Sequence, residues 1–99
     1  MPLQSRAFTQ FEMVTVGSSV VTLTSSVYGT LNQAVLSVAG ANIRFTVDGT
    51  TPTTSVGHIL YDQDEVELES AEEVIGFQAI RDDSTDAELA CSYGVRVTS

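Results

Sequence analysis

The chain has no lysine and no tryptophan, one cysteine, one histidine and two prolines in 99 residues. Each shortage removes a class of protein. With Cys91 alone, no internal disulfide can form, so a disulfide-stapled scaffold is excluded and folding in a reducing cytoplasm is expected. One histidine and one cysteine cannot supply the ligand set of a zinc site. Four arginines, at positions 6, 44, 81 and 96, stand against thirteen Asp and Glu, for a net charge of −9. Nucleic acid is bound largely by cations that neutralise phosphates, and anionic lipid attracts basic segments. Neither nucleic acid nor membrane is an expected partner. A basic protein surface would attract such a chain, although acidity also serves simple solubility.

Long apolar runs are missing as well, which excludes a membrane-spanning helix. No segment sustains a 3.6-residue period, which excludes a helical bundle or coiled coil. Met1-Pro2-Leu3-Gln4-Ser5-Arg6 carries one basic residue and no following apolar run, so a secretory leader is not expected.

What is abundant is Ser and Thr, 23 residues together, and apolar residues at 42%. That apolar share is too high for disorder, and 99 residues suffice for one domain with a modest core. Short alternating segments recur along the chain. Phe11–Val16, Ser19–Thr24 and Ala34–Ala39 come first. Asn42–Val47 is the clearest, with Ile43, Phe45 and Val47 on one face and Arg44 and Thr46 on the other. Gly57–Tyr61, Glu65–Glu69, Val74–Ile80 and Ala87–Tyr93 follow. About eight short strands predict an all-β, single-domain antiparallel β-sandwich, either jelly-roll or immunoglobulin-like. The expected core is Ile43, Phe45, Val47, Val66, Leu68, Ile75, Phe77, Leu89 and Cys91. Ser70 and Glu73 fit a capping box, so Ser70–Glu73 is either one helical turn or an ordinary turn. Residues 1–10 lack a strand pattern and are expected to be an arm, with the sandwich over 11–99.

Catalytic chemistry finds little support. Ser55, His58 and Asp62 are close in sequence, but no nucleophile elbow precedes a helix. Thirteen carboxylates guarantee chance pairs, so paired acids for glycoside hydrolysis carry no weight. Asp62-Gln63-Asp64 begins like a calcium loop and then fails, because Glu67 stands where the turn needs glycine. Asp82, Asp83 and Asp86 form a second acidic loop able to offer oxygens to Ca²⁺, though such loops are ordinarily just solvated. Cys91, in phase with Leu89 and Tyr93, reads as a small buried hydrophobe. No enzyme and no resident cofactor are expected.

Two segments stand out as contact candidates. Asp48-Gly49-Thr50-Thr51-Pro52-Thr53 is a polar turn-forming loop, either a protruding contact or a rigid corner between strands. The arm Met1–Gln10 is long enough to reach a neighbouring subunit, and Met1, Pro2, Leu3, Gln4, Ser5 and Arg6 are its candidate contact residues.

From Ile43-Arg44-Phe45-Thr46-Val47 into Asp48-Gly49-Thr50-Thr51-Pro52-Thr53, the chain resembles small virion proteins of tailed bacteriophages. The order of later motifs extends the resemblance: Gly57-His58-Ile59-Leu60, Val66-Glu67-Leu68, Phe77-Gln78-Ala79-Ile80-Arg81, and Leu89-Ala90-Cys91-Ser92-Tyr93-Gly94. It covers about Ala34 to Gly94. It implies a non-enzymatic virion structural protein, a head decoration or cement protein that binds the major capsid protein or another virion protein. A homo-oligomer, a trimer by analogy with head decorations, and a location in the virion after synthesis in the host cytoplasm are expected with it. A neck, tail or fibre-attachment component is the alternative within the class. The Asp-Gly-Thr-x-Pro-Thr loop also resembles the chitobiase C-terminal β-domain, which keeps a carbohydrate-binding module open. The resemblance supplies no catalytic residues.

Overall fold

The computed structural model describes residues 4–98, with side chains described from Phe8 to Val95. Eight strands and two short helices follow one another: β1 (Gln4–Val16), β2 (Val21–Thr22), α1 (Ser25–Tyr28), β3 (Gln33–Ala39), β4 (Ile43–Thr46), β5 (His58–Leu60), β6 (Glu65–Leu68), α2 (Ala71–Gly76), β7 (Gln78–Arg81) and β8 (Ala87–Thr98). They form two antiparallel four-stranded sheets, ordered β1-β8-β3-β6 and β2-β7-β4-β5.

That order decides between the two expected sandwiches. β1 pairs with β8, β2 with β7, β3 with β6 and β4 with β5. The chain is therefore one long hairpin, closed at the β4–β5 loop and folded over itself, which is the jelly-roll path. The β3–β8 and β4–β7 ladders seal the folded hairpin. Because successive strands run antiparallel, the connections sort to two ends. The β2–β3, β4–β5 and β6–β7 links, with both helices, lie at one end, here termed the loop end. The β1–β2, β3–β4, β5–β6 and β7–β8 links lie at the other. Cross-links confirm each group: Gly49 N–H donates to the Gly76 carbonyl at the loop end, and Gly40 N–H to Asp62 Oδ1 at the other.

The core lies between the sheets. Leu36, Ile43, Leu68, Phe77, Leu89, Cys91 and Tyr93 are fully enclosed. Phe45 stacks on Phe77 at 5.6 Å between ring centroids, and Tyr28 meets Tyr93 edge-on at 5.8 Å. Six of the nine expected core residues are buried, while Val47 and Val66 are half-buried. Ile75 departs outright, at 66% exposed. Val74–Ile80 is not one strand. Its first residues belong to α2, and a helix turns Val74, not Ile75, toward the core. Ser70 does cap α2, accepting from Glu73 N–H at 3.2 Å, but Glu73 Oε1 reaches back to Glu69 N–H rather than to Ser70.

The N-terminal expectation also changes. Met1–Leu3 lie outside the described residues. Gln4–Gln10, expected as an unpatterned arm, is strand, and β1 runs on without a boundary at Phe11. A bulge at Thr9 interrupts the register with β8. β3 begins opposite Gly94, so Gln4–Ala7 and Val95–Thr98 leave the sandwich as a two-stranded ribbon at the loop end. This accounts for the long axis of the molecule, 45 × 24 × 21 Å.

Phe45→Ala removes a ring stacked in the core and is expected to cost ~3–5 kcal/mol of unfolding free energy. Ile75→Lys, on the exposed side of α2, is expected to stay within ~0.5 kcal/mol. Urea denaturation of both variants checks the inward and outward assignments.

Candidate contact surfaces at the loop end

The β4–β5 connection is the closed tip of the long hairpin, and its sequence makes it stiff. Asp48 Oδ1 accepts from Thr50 N–H at 3.1 Å, a local side-chain turn of the kind Asp favours. Gly49 follows at φ 85°, in the left-handed region. Thr46 Oγ1 donates to the Thr50 carbonyl at 2.5 Å. Thr53 and Val56 exchange backbone hydrogen bonds of 2.9 and 3.2 Å, and Ser55 N–H donates to Thr53 Oγ1. Pro52, in the middle of a polar run, is completely buried. The tip is also tied to its neighbours. Gln78 Nε2 donates to the Gly49 carbonyl at 3.3 Å. Gly76 ends α2 so close to the tip that a Cβ there would meet the Val47 carbonyl at 2.5 Å.

Of the two expectations for Asp48–Thr53, the structure brings out the rigid corner, and the corner still presents a surface. Asp48, Gly49, Thr50, Thr51 and Thr53 face solvent, as do Thr54, Ser55 and Val56 beyond them. Three surface hollows adjoin the tip. One of about 320 Å³ is lined by Thr46, Val47, Asp48, Thr50, Gly57 and His58. A second, about 510 Å³, lies toward Gly49, Ile75 and Gln78. The third, about 330 Å³, opens between edge strands β5 and β6, with Leu60 and Leu68 in its floor and Glu65, Glu67 and Glu73 on its rim. Of the expected contact arm, Met1, Pro2 and Leu3 lie outside the described residues. The backbone of Gln4, Ser5 and Arg6 pairs with Thr98, Val97 and Arg96 in the ribbon. Loop and ribbon thus leave from the same end, a juxtaposition that sequence alone did not reveal.

The electrostatics are local. Asp48 is held below its ordinary 3.8, first by the Thr50 hydroxyl and then by the Thr50 N–H, with the charge of His58 adding least. His58 is exposed, its ring 5.4 Å from that of Phe45. Ser55, His58 and Asp62 are not joined. Ser55 Oγ lies beside Thr53 Oγ1, and Asp62 Oδ1 accepts from Gly40 N–H and Gln63 Nε2. The three acids considered for calcium are engaged separately. Asp82 Oδ1 pairs with Arg44 Nε at 3.0 Å, Asp86 Oδ1 with Arg81 Nη1 at 2.6 Å, and Asp83 Oδ1 accepts from Thr85 N–H. Among the described residues no cluster of three His, Cys, Asp or Glu is placed to hold a metal ion. No helix among them is long and apolar enough to cross a membrane.

Sequence reasoning missed one polar network. Tyr93, fully buried, donates its hydroxyl to Glu12 Oε2 at 2.5 Å, and Thr24 N–H donates to the same oxygen at 3.0 Å. Burial, and then the hydrogen bond to Glu12, push the Tyr93 phenol well above its ordinary range. Beside it, Cys91 donates to the Leu89 carbonyl at 3.6 Å, and burial pushes the thiol up to about 12. Such burial disfavours the thiolate, the reactive form of the side chain. Nothing in a lone Glu at position 12 signals this bond, because its partner is 81 residues away.

Compared with known proteins, the chain matches no family model, no curated protein and no solved structure.

Two measurements test the local chemistry. A depressed carboxylate adds stability above its unfolded pKa and loses it as pH falls through the folded value. The Thr50 amide shift, followed by NMR from pH 6 to 2 (a range of about four units around the Asp reference), is expected to titrate with a midpoint below 3.8. Asp48→Asn is expected to abolish that transition. Cys91 is expected to resist a thiol reagent in the native state and react fully once unfolded.

Proposed function

We propose that the protein is a non-enzymatic structural component of a bacteriophage virion, a head decoration or cement protein that docks on the major capsid protein and stabilises the shell. The observation that carries this reading is the convergence at the loop end. A stiff, hydroxyl-rich tip and a protruding β-ribbon leave one end of a sandwich whose opposite end bears the acidic loops Asp62–Asp64 and Asp82–Asp86. A body built this way presents a preorganised contact surface at one end, and preorganisation limits the ordering entropy lost on docking. The acidic end faces solvent and keeps free copies apart.

Two further points support the reading. The ordered series of motifs from Ile43 to Gly94 is similar to that of small tailed-phage virion proteins. The jelly roll recurs in viral capsid domains, although a fold by itself does not fix function. A neck, tail or fibre-attachment role uses the same surfaces and differs in copy number. The carbohydrate-binding alternative has one feature in its favour, the hollow lined by Asp48, Thr50 and His58. The large exposed aromatics Phe8, Phe11 and Tyr61 do not line that hollow, and its one ring is the His58 imidazole, so it offers no Phe, Tyr or Trp face for a sugar ring to stack on.

Quantitative mass spectrometry of purified particles tests the proposal. Hundreds of copies per particle are expected for a head protein; a dozen or fewer would move it to the neck or tail, and absence would overturn the virion reading. On particles, Thr51→Arg with Thr54→Arg at the tip is expected to lower occupancy at least tenfold. Asp83→Arg at the opposite end is expected to leave it unchanged. A reversed pattern would place docking at the acidic end.

A further inference from the structure

β1 is the outer strand of its sheet and is bonded on one side only, to β8. Among the described residues no strand pairs with its other edge. This edge is long, and it carries Phe8, Phe11 and Met13 at 42%, 59% and 53% exposed. Folded proteins usually blunt such an edge with charge, proline or brevity. The other three edges here are blunted. β2 and β5 have two and three residues. β6 reads Glu65-Val66-Glu67-Leu68, with both glutamates exposed. Among these edges β1 alone is long and turns no charged side chain of its own outward between Phe8 and Val16, because its single acid there, Glu12, is turned in to Tyr93 and the Thr24 N–H. The nearest outward charge is Glu88 of β8, which accepts from Thr15 Oγ1 at 2.9 Å.

We propose that β1 is a self-association edge that pairs with β1 of a second copy of this chain, antiparallel about a two-fold axis, to make a continuous eight-stranded sheet. The occupant follows from charge. Two copies of a chain at −9 repel through most of their surface, and β1 is the one long edge among the described residues at which they can meet with no carboxylate set directly opposite another. A basic partner would prefer the acidic β6 edge instead. Geometry then sets the symmetry. Identical antiparallel strands pair about a two-fold axis, so this edge gives a dimer and not the expected trimer. The bulge at Thr9 limits flat pairing to Gln10–Val16. An axis at Met13 sets Phe11 against Thr15 of the second copy and Glu12 against Val14. An axis at Glu12 would set two carboxylates opposite each other, which is unfavourable.

The area predicts a weak complex. At roughly 200 Å² per large side chain, the exposed parts of Phe11 and Met13, the two that fall within the paired stretch, supply about 220 Å² of apolar surface per copy. With the backbone edge added, the total falls at the low end of specific interfaces, below ~1,200 Å². A dissociation constant on the order of 10 μM is expected.

Sedimentation velocity on the full chain from about 1 to 500 μM, a range that brackets that constant, is expected to show a monomer–dimer equilibrium. Amide exchange is expected to slow at alternate residues of Gln10–Val16 as the dimer fills. Met13→Lys puts two cations across the axis and is expected to weaken association at least tenfold, while circular dichroism and thermal midpoint stay unchanged. A chain that remains monomeric throughout overturns the proposal. So does an oligomer, three-fold included, whose β1 amides exchange as freely as the monomer's, since it uses another surface. All these readouts are made on isolated protein, so their failure is separate from any failure of the virion reading.

Discussion

Everything in this molecule waits on β8. It is the last strand of the chain and lies between β1 and β3, the first and third, holding both. Leu89, Cys91 and Tyr93 on its inner face are fully enclosed. Without β8, β1 has no strand partner and β3 keeps only β6. The jelly-roll path therefore offers no stable half. Closing it brings together residues more than eighty positions apart, such as Glu12 and Tyr93. Topologies dominated by distant pairings of this kind fold slowly, because loop-closure entropy is lost before the contacts repay it.

The sequence displayed its strands because burial on one face writes a period of two, and Ile43, Phe45, Leu89 and Cys91 obey it. It hid what depends on partners far along the chain. In β1 the outward residues are Phe11, Met13 and Thr15, and the inward ones Glu12, Val14 and Val16. Hydrophobicity alone would tend to turn them the other way. The Tyr93 hydroxyl, which has to be satisfied inside the sandwich, decides the matter by taking Glu12 as acceptor. Ile75 misled for a different reason. Val74-Ile75 looks like strand by composition, but Ser70 caps a helix just before it, and a short helix presents only one of two adjacent residues to the core. The capping signal was legible; its extension into the apolar run was not. The polar tip was legible as a turn, while its stiffness, which rests on Gly76, Gln78 and a buried Pro52, comes from elements that meet only after folding.

Two ion pairs tie down the acidic loops. Arg44 joins Asp82 to the Gly57 carbonyl, and Arg81 holds Asp86, so two of the four cations are spent inside the acidic half. These pairs are partly exposed, and their worth lies more in fixing loop geometry than in stability. The result is a body with acid on the β5–β6 and β7–β8 connections, on the β6 edge and on α2, and with no charged side chain of β1 itself turned outward between Phe8 and Val16.

The ribbon of β1 and β8 has a mechanical meaning of its own. Gln4 lies opposite Thr98, and the rungs of the ladder follow one another inward from there. A load that pulls these two residues apart acts on one rung at a time and peels the strands like a zipper. A load along the strands is shared by many rungs at once. An attachment made through the ribbon would therefore yield readily to a prying force and resist a shearing one. The direction of the strain, more than its size, would decide whether the sandwich opens.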